Sequence, residues 1–168
     1  LLSFILLFIV GCRNAEPEQT TPTSQGPSYL SSATYYGTPL KWNSTNAMNL
    51  TYCIPIEYKN EPAGSTKGTD DYYTLISDAM DYAAEEWEDT EAQIDFQHIE
   101  GEDTDCNNTN EDVVFNVELV TNNEINASAF FPDYLREHRN LEIAKHHLSD
   151  SKLALQSTIL HELGHILG

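Results

Sequence analysis

The sequence predicts an α+β (mixed α/β) domain. The signs are several short runs of period-two apolar alternation and two longer stretches with helical spacing that do not alternate strictly with them. Leu50, Tyr52, Ile54 and Ile56 alternate with Thr51, Cys53 and Pro55, the pattern of a half-buried strand. Pro55 has no N–H to offer a neighbouring strand, so the strand nears its end or an unpaired position there. Asn60 to Thr69 contains Pro62, Gly64 and Gly68 and reads as a turn. A helix follows over 70–88, with Leu75, Ile76, Ala79, Met80, Ala83 and Trp87 on one face. Thr69, Asp70 and Asp71 suit its N-terminus, where free N–H groups favour acceptors and negative charge. Ile94 to Ile99 predicts a second strand, and Val113, Phe115, Val117 and Leu119 mark a third. Asn126 to Phe131 predicts an edge strand stopped by Pro132, and Asn140 to Lys145 a further strand. The second helix runs from Ser149 or Asp150 to Leu167, with Gly168 as its terminator.

The chain of 168 residues is long enough for one domain with a substantial core, and its 40% hydrophobic content excludes wholesale disorder. Lys and Arg total 8 against 27 Asp and Glu, a formal charge of −19. A surface so acidic repels phosphate backbones and excludes nucleic acid as a partner.

Leu1 to Val10 is apolar apart from Ser3, about the length of a signal-peptide core and too short to span a ~30 Å hydrocarbon layer. Ile9-Val10-Gly11-Cys12 resembles the bacterial lipobox, which implies lipidation of Cys12 and a signal peptide over 1–12. Cleavage elsewhere, leaving Cys12 an ordinary thiol, is the alternative; either way the rest is exported. Localisation is then the bacterial cell envelope (outer membrane or cell surface) or the secreted fraction, with membrane contact through the lipid anchor only. Residues 13–38, rich in Pro, Ser and Thr, read as a flexible tether, and 39–168 as the folded domain. With no initiating Met and a stop inside a motif, both ends are expected to continue. In an oxidising compartment Cys53 and Cys106 suggest a disulfide, two free thiols being the alternative.

The chemistry lies in Leu160-His161-Glu162-Leu163-Gly164-His165-Ile166-Leu167-Gly168. On a helix, residues four apart leave the same face one turn apart, so His161 and His165 can grip one Zn²⁺ at ~2.0–2.1 Å. Glu162 follows the first His and is placed to act as general base on water rather than as a ligand. Leu160, Leu163 and Leu167 are expected to form the packing face of this helix.

Gly168, three residues past His165, makes the segment resemble the metzincin signature HExxHxxGxxH, and Leu160 to Gly168 is most similar to the matrixin version. Upstream, Lys41-Trp42 with Leu50-Thr51-Tyr52 resembles the opening of a matrixin catalytic domain, and Glu86-Trp87 with Ile94-Asp95-Phe96 its first helix and second strand. Asp112 to Val117 resembles its third strand. Ala127-Ser128-Ala129, followed by Phe130-Phe131-Pro132, is similar to the edge strand that pairs with an extended substrate. The resemblance implies a metzincin-like zincin: a twisted, mostly parallel sheet with an edge strand over the cleft, packed on two helices, the second carrying HExxH. It also implies a zinc endopeptidase acting on extracellular protein or peptide substrates, with a third His ligand three residues beyond Gly168. The family's structural zinc and calcium loops are not evident between Pro132 and Ser149. Asp133, His138, His146 and His147 lie there at the wrong spacing, so no Ca²⁺ is assigned and His146 and His147 read as loop or strand-end residues. The alternatives are a zincin with a different third ligand and a surface lipoprotein that keeps the fold without turnover.

Overall fold

A computed structural model of the chain describes residues 34–35, 37–61, 70–90, 93–121 and 124–168. Cys12, the expected signal segment 1–12 and the tether as far as residue 33 lie outside the described residues. The described residues open with a small antiparallel hairpin of Thr34–Tyr35 (β1) and Thr38–Pro39 (β2), turned at Gly37 with φ +80°. Backbone pairing therefore starts ahead of the expected domain boundary at 39. A single helical turn, Ser44–Ala47 (α1), follows because the Asn43 side chain accepts from the Thr45 and Asn46 N–H groups.

The alternating run at 50–56 forms a strand only over Leu50–Cys53 (β3). Beyond it Pro55 starts a 3₁₀ turn over Ile56–Asn60, as its missing N–H dictates. Tyr72–Thr90 is the long helix α2, entered through Asp71, whose Oδ1 accepts from the Thr74 N–H at 2.8 Å. Phe96–His98 (β4), Phe115–Val120 (β5), Ala127–Ser128 (β6) and Asn140–Ala144 (β7) complete the strands. Lys152–Leu167 is α3, whose N-cap Ser151 accepts from the Ala154 N–H. The helix starts later than Ser149 or Asp150 because Lys145–Ser149 is spent in a 3₁₀ turn.

The main sheet has five strands in the order β4-β3-β5-β7-β6. β4, β3, β5 and β7 run parallel, and β6 closes the edge antiparallel to β7. In register, Val117 sits beside Leu141 and Leu119 beside Ile143. Phe115, Val117, Leu141 and Ile143 are wholly buried in one core with Ile76, Met80 and Ala83 of α2 and Ile159, Leu163 and Ile166 of α3. The edge strand is shorter than the 126–131 run expected for it, because the chain leaves the sheet and turns Phe130 into the core against Phe115.

A second anchor lies at the end of β3. Cys53 and Cys106 form a disulfide with Cα atoms 5.6 Å apart. Beside it the buried Asp103 carboxylate accepts from the Ile54 N–H at 2.9 Å and from the Tyr73 hydroxyl, and lies 2.9 Å from His98 Nε2. A buried carboxylate with this many partners is tolerable where a lone one is not. The disulfide closes a loop across a sequence separation of 53. Chain-entropy reasoning then predicts that the Cys53→Ser/Cys106→Ser double variant loses about 2–4 kcal/mol. Urea unfolding of oxidised wild type against the variant measures it; equal midpoints would contradict the structural role.

Candidate active site

α3 buries Leu155, Ile159, Leu163 and Ile166, and turns His161 and His165 away from the core. Leu163 is wholly buried as expected, whereas Leu160 and Leu167 pack against the core only partly buried, and the buried stripe runs through Leu155, Ile159, Leu163 and Ile166. At 100° per residue Leu155, Ile159, Leu163 and Ile166 fall within one arc of about 80° facing the sheet, and Leu160 and Leu167 lie to one side of that arc.

The two imidazoles converge. Their Nε2 atoms are 3.1 Å apart and their rings are perpendicular, with centroids 4.7 Å apart. Two ligands at Zn–N distances of ~2.0–2.1 Å in a tetrahedral shell stand ~3.3 Å apart, so the pair fits one zinc ion with little adjustment. Glu162 is buried, 7% exposed, at the border between the core and the imidazole side. Among the described residues no ion pair or hydrogen bond engages it, which leaves its carboxylate uncommitted.

Long-range contacts hold this helix in place. Trp87 of α2 donates its indole N–H to the Leu160 carbonyl at 2.8 Å. Gly164, inside the motif, makes room for that ring: a Cβ there would stand 3.1 Å from Trp87 Cζ2. Trp42 donates to the Ile166 carbonyl at 2.7 Å, satisfying an acceptor in the last turn, where intrahelical donors run out. Gly168 has φ +109°, and a Cβ on it would lie 1.7 Å from the Leu40 carbonyl oxygen. The segment 40–42 thus clamps the end of α3, a role that the resemblance of Lys41-Trp42 did not specify.

Two further contacts escaped the sequence reading. Phe131, just past the edge strand, meets His165 edge-on at 5.5 Å. His147 lies in the turn after β7, as a loop or strand-end residue should, but it is buried, with Nδ1 2.7 Å from Asp150 Oδ2 and Nε2 2.9 Å from Thr158 Oγ1. It ties the turn after β7 to α3 one turn before His161; the His-x-x-Asp spacing was the only hint. His146 meets Asn126 Oδ1 at 3.2 Å, and His138 is largely exposed. Of the edge-strand candidates, Ala127 and Ser128 form β6 and Ala129 lies just past it, half-buried.

A mostly parallel sheet with an antiparallel edge beside a helix that presents paired imidazoles and a free carboxylate defines a zincin-like metallopeptidase. The chain belongs to the Peptidase_M57 family, the dual-action HEIGH metallo-peptidases, whose family model matches residues 41–168. The family's HEIGH letters fall on 161–165, with Leu163 in the third place. The protein is accordingly a zinc-dependent metallopeptidase. A search of curated proteins finds no significant match.

His161→Ala and His165→Ala should each weaken zinc binding by more than about 100-fold, beyond the 10–100-fold typical of losing a ligand's supporting partner. Competition with a chromogenic chelator reads this, with circular dichroism as the folding control; unchanged affinity in either variant removes that His from the site. Gly168→Ala should destabilise the domain by about 2 kcal/mol or more, from the positive φ and the clash with Leu40 together. Thermal melts decide, and a neutral result would contradict the clamp.

Proposed function

We propose that the protein is an exported zinc endopeptidase that hydrolyses peptide bonds of extracellular proteins, with a matrixin-like way of holding its substrate. The observation that carries the reading is the convergence of His161 and His165 at 3.1 Å beside an uncommitted Glu162.

His161 and His165 would hold the zinc, with a third protein ligand completing the set, since catalytic zinc keeps three protein ligands and one open position. The matrixin resemblance supplies it as a His three residues past Gly168. When bound, zinc acidifies its water and polarises the scissile carbonyl. Glu162 takes the proton from the attacking water and delivers it to the leaving amine. β6 pairs with β7 on one side, and among the described residues its other edge has no partner strand. Ala127 to Ala129 can therefore accept an extended peptide by main-chain hydrogen bonds, which suits an enzyme that must hold many sequences.

The disulfide supports export, because such bonds persist in oxidising compartments. Anchoring through a lipidated Cys12 belongs to the same proposal; among the described residues no helix is long and apolar enough to cross a membrane.

The test is Glu162→Gln in the full-length protein, loaded with zinc and assayed on casein or gelatin. Turnover should fall by about 10²–10⁴-fold, the usual worth of a general base, while the zinc content stays unchanged. Near-normal turnover with full zinc would remove Glu162 from this role, and chelator-insensitive cleavage would remove the metal.

A further inference from the structure

Beside the edge strand lies an open cleft of about 300 Å³, lined by Ser128, Ala129, Phe130, Tyr134, His138, Asn140 and Glu142. Its place relative to the histidines is set by Phe131, whose ring is 5.5 Å from His165 and 6.3 Å from Tyr134. At ~3.3 Å per residue of extended chain, the cleft is within about four substrate residues of the imidazole pair.

The lining carries one carboxylate and no fixed cation. Glu142 pairs in register with Ser128 on one side and Glu118 on the other, so two carboxylates stand opposite each other on the same face of the sheet. Like charges in that position repel. Ser128 Oγ donates to one oxygen of Glu142, and the Asn140 amide N–H to Glu118. Neither nearby arginine neutralises them. Arg136 is spent on the Asn107 and Asn110 carbonyls and Asn116 Oδ1, and Arg139 on the Tyr134 carbonyl and the Trp42 ring. Among the described residues no ion pair reaches Glu118 or Glu142. Asn140 Oδ1 is buried with no donor, so its uncompensated dipole adds negative potential beneath the cleft. The exposed Tyr134 ring offers a face to a cation. His138, the one lining group able to become cationic, has its Nε2 3.6 Å from the Glu137 carboxylate outside the cleft.

We infer that this cleft is a substrate subsite for a cationic side chain, arginine or lysine, with Glu142 as the specificity-determining residue. The inference rests on the peptidase reading and adds its substrate class: extended segments carrying a basic residue at one defined place near the scissile bond. Ser128 orients the Glu142 carboxylate, Tyr134 covers the alkyl stem and the charge, and the guest supplies the cation that Glu118 and Glu142 lack.

The experiment uses the full-length, zinc-loaded protein and a fluorogenic peptide set in which one lysine is moved position by position, each compared with its norleucine counterpart. At one position lysine should raise kcat/KM about tenfold, the scale of a charge-assisted hydrogen bond. A shift by one residue should abolish the gain, since neighbouring side chains of an extended strand point to opposite faces. In Glu142→Gln the lysine-to-norleucine ratio at that position should fall to within about twofold, and Tyr134→Leu should lower it partly. Because each ratio is taken on one protein preparation, partial unfolding of a variant cancels. A preference spread over all positions would be the general pull of an acidic surface and would overturn the inference, as would a ratio unchanged in Glu142→Gln. If no peptide is cut, the peptidase reading fails. Fluorescence anisotropy with the same peptides then decides the subsite alone: position-specific, Glu142-dependent lysine binding supports it, and equal binding of both series ends it.

Discussion

At 3.6 residues per turn, α3 must satisfy two demands with one stretch of chain. It buries Ile159, Leu163 and Ile166 against the sheet, and that burial turns His161 and His165 out at a spacing suited to one metal ion. The orientation of the imidazoles is therefore a by-product of core packing. Any rotation of the helix that relieved one demand would violate the other. Glu162, between the two faces, is the position that is both sheltered and adjacent to the metal-binding side.

Close packing of the buried side chains fixes the helix on the sheet, and directional polar contacts reinforce its axial position. Trp87 and Trp42 donate to carbonyls at Leu160 and Ile166, bracketing the motif from two distant segments. His147 holds the preceding turn through Thr158. The two motif glycines serve this arrangement sterically, Gly164 under the Trp87 ring and Gly168 against the Leu40 carbonyl. The motif is thus supported by residues outside it through directional hydrogen bonds.

The sheet contributes the other half of the site. Its inner parallel strands β3, β5 and β7 are flanked on both sides, whereas the antiparallel β6 leaves an edge open beside the histidines. Open edges invite aggregation, and one only two residues long limits that risk while still offering hydrogen bonds to an extended guest. On the face beside this edge Glu118 and Glu142 stand side by side, each accepting one neutral hydrogen bond and neither meeting a cation among the described residues.

Much of this was legible beforehand because it is local. The period-two runs announced β3, β5 and β7, the helical spacing announced α2 and α3, and the interval between His161 and His165 determined by itself that their imidazoles share a face. The strand ended near Pro55 as expected, and boundaries drifted where a neighbour intervened, at Phe130 turning inward and at Ser151 taking over the cap. The strand order, the partners of Trp42 and Trp87, the burial of His147 and Asp103 and the cleft at Glu142 were decided only by the tertiary structure. Trp42 and its carbonyl are 124 residues apart, and Trp87 and its own 73. Contacts over such separations depend on how whole elements pack, and they leave no periodic mark on the chain.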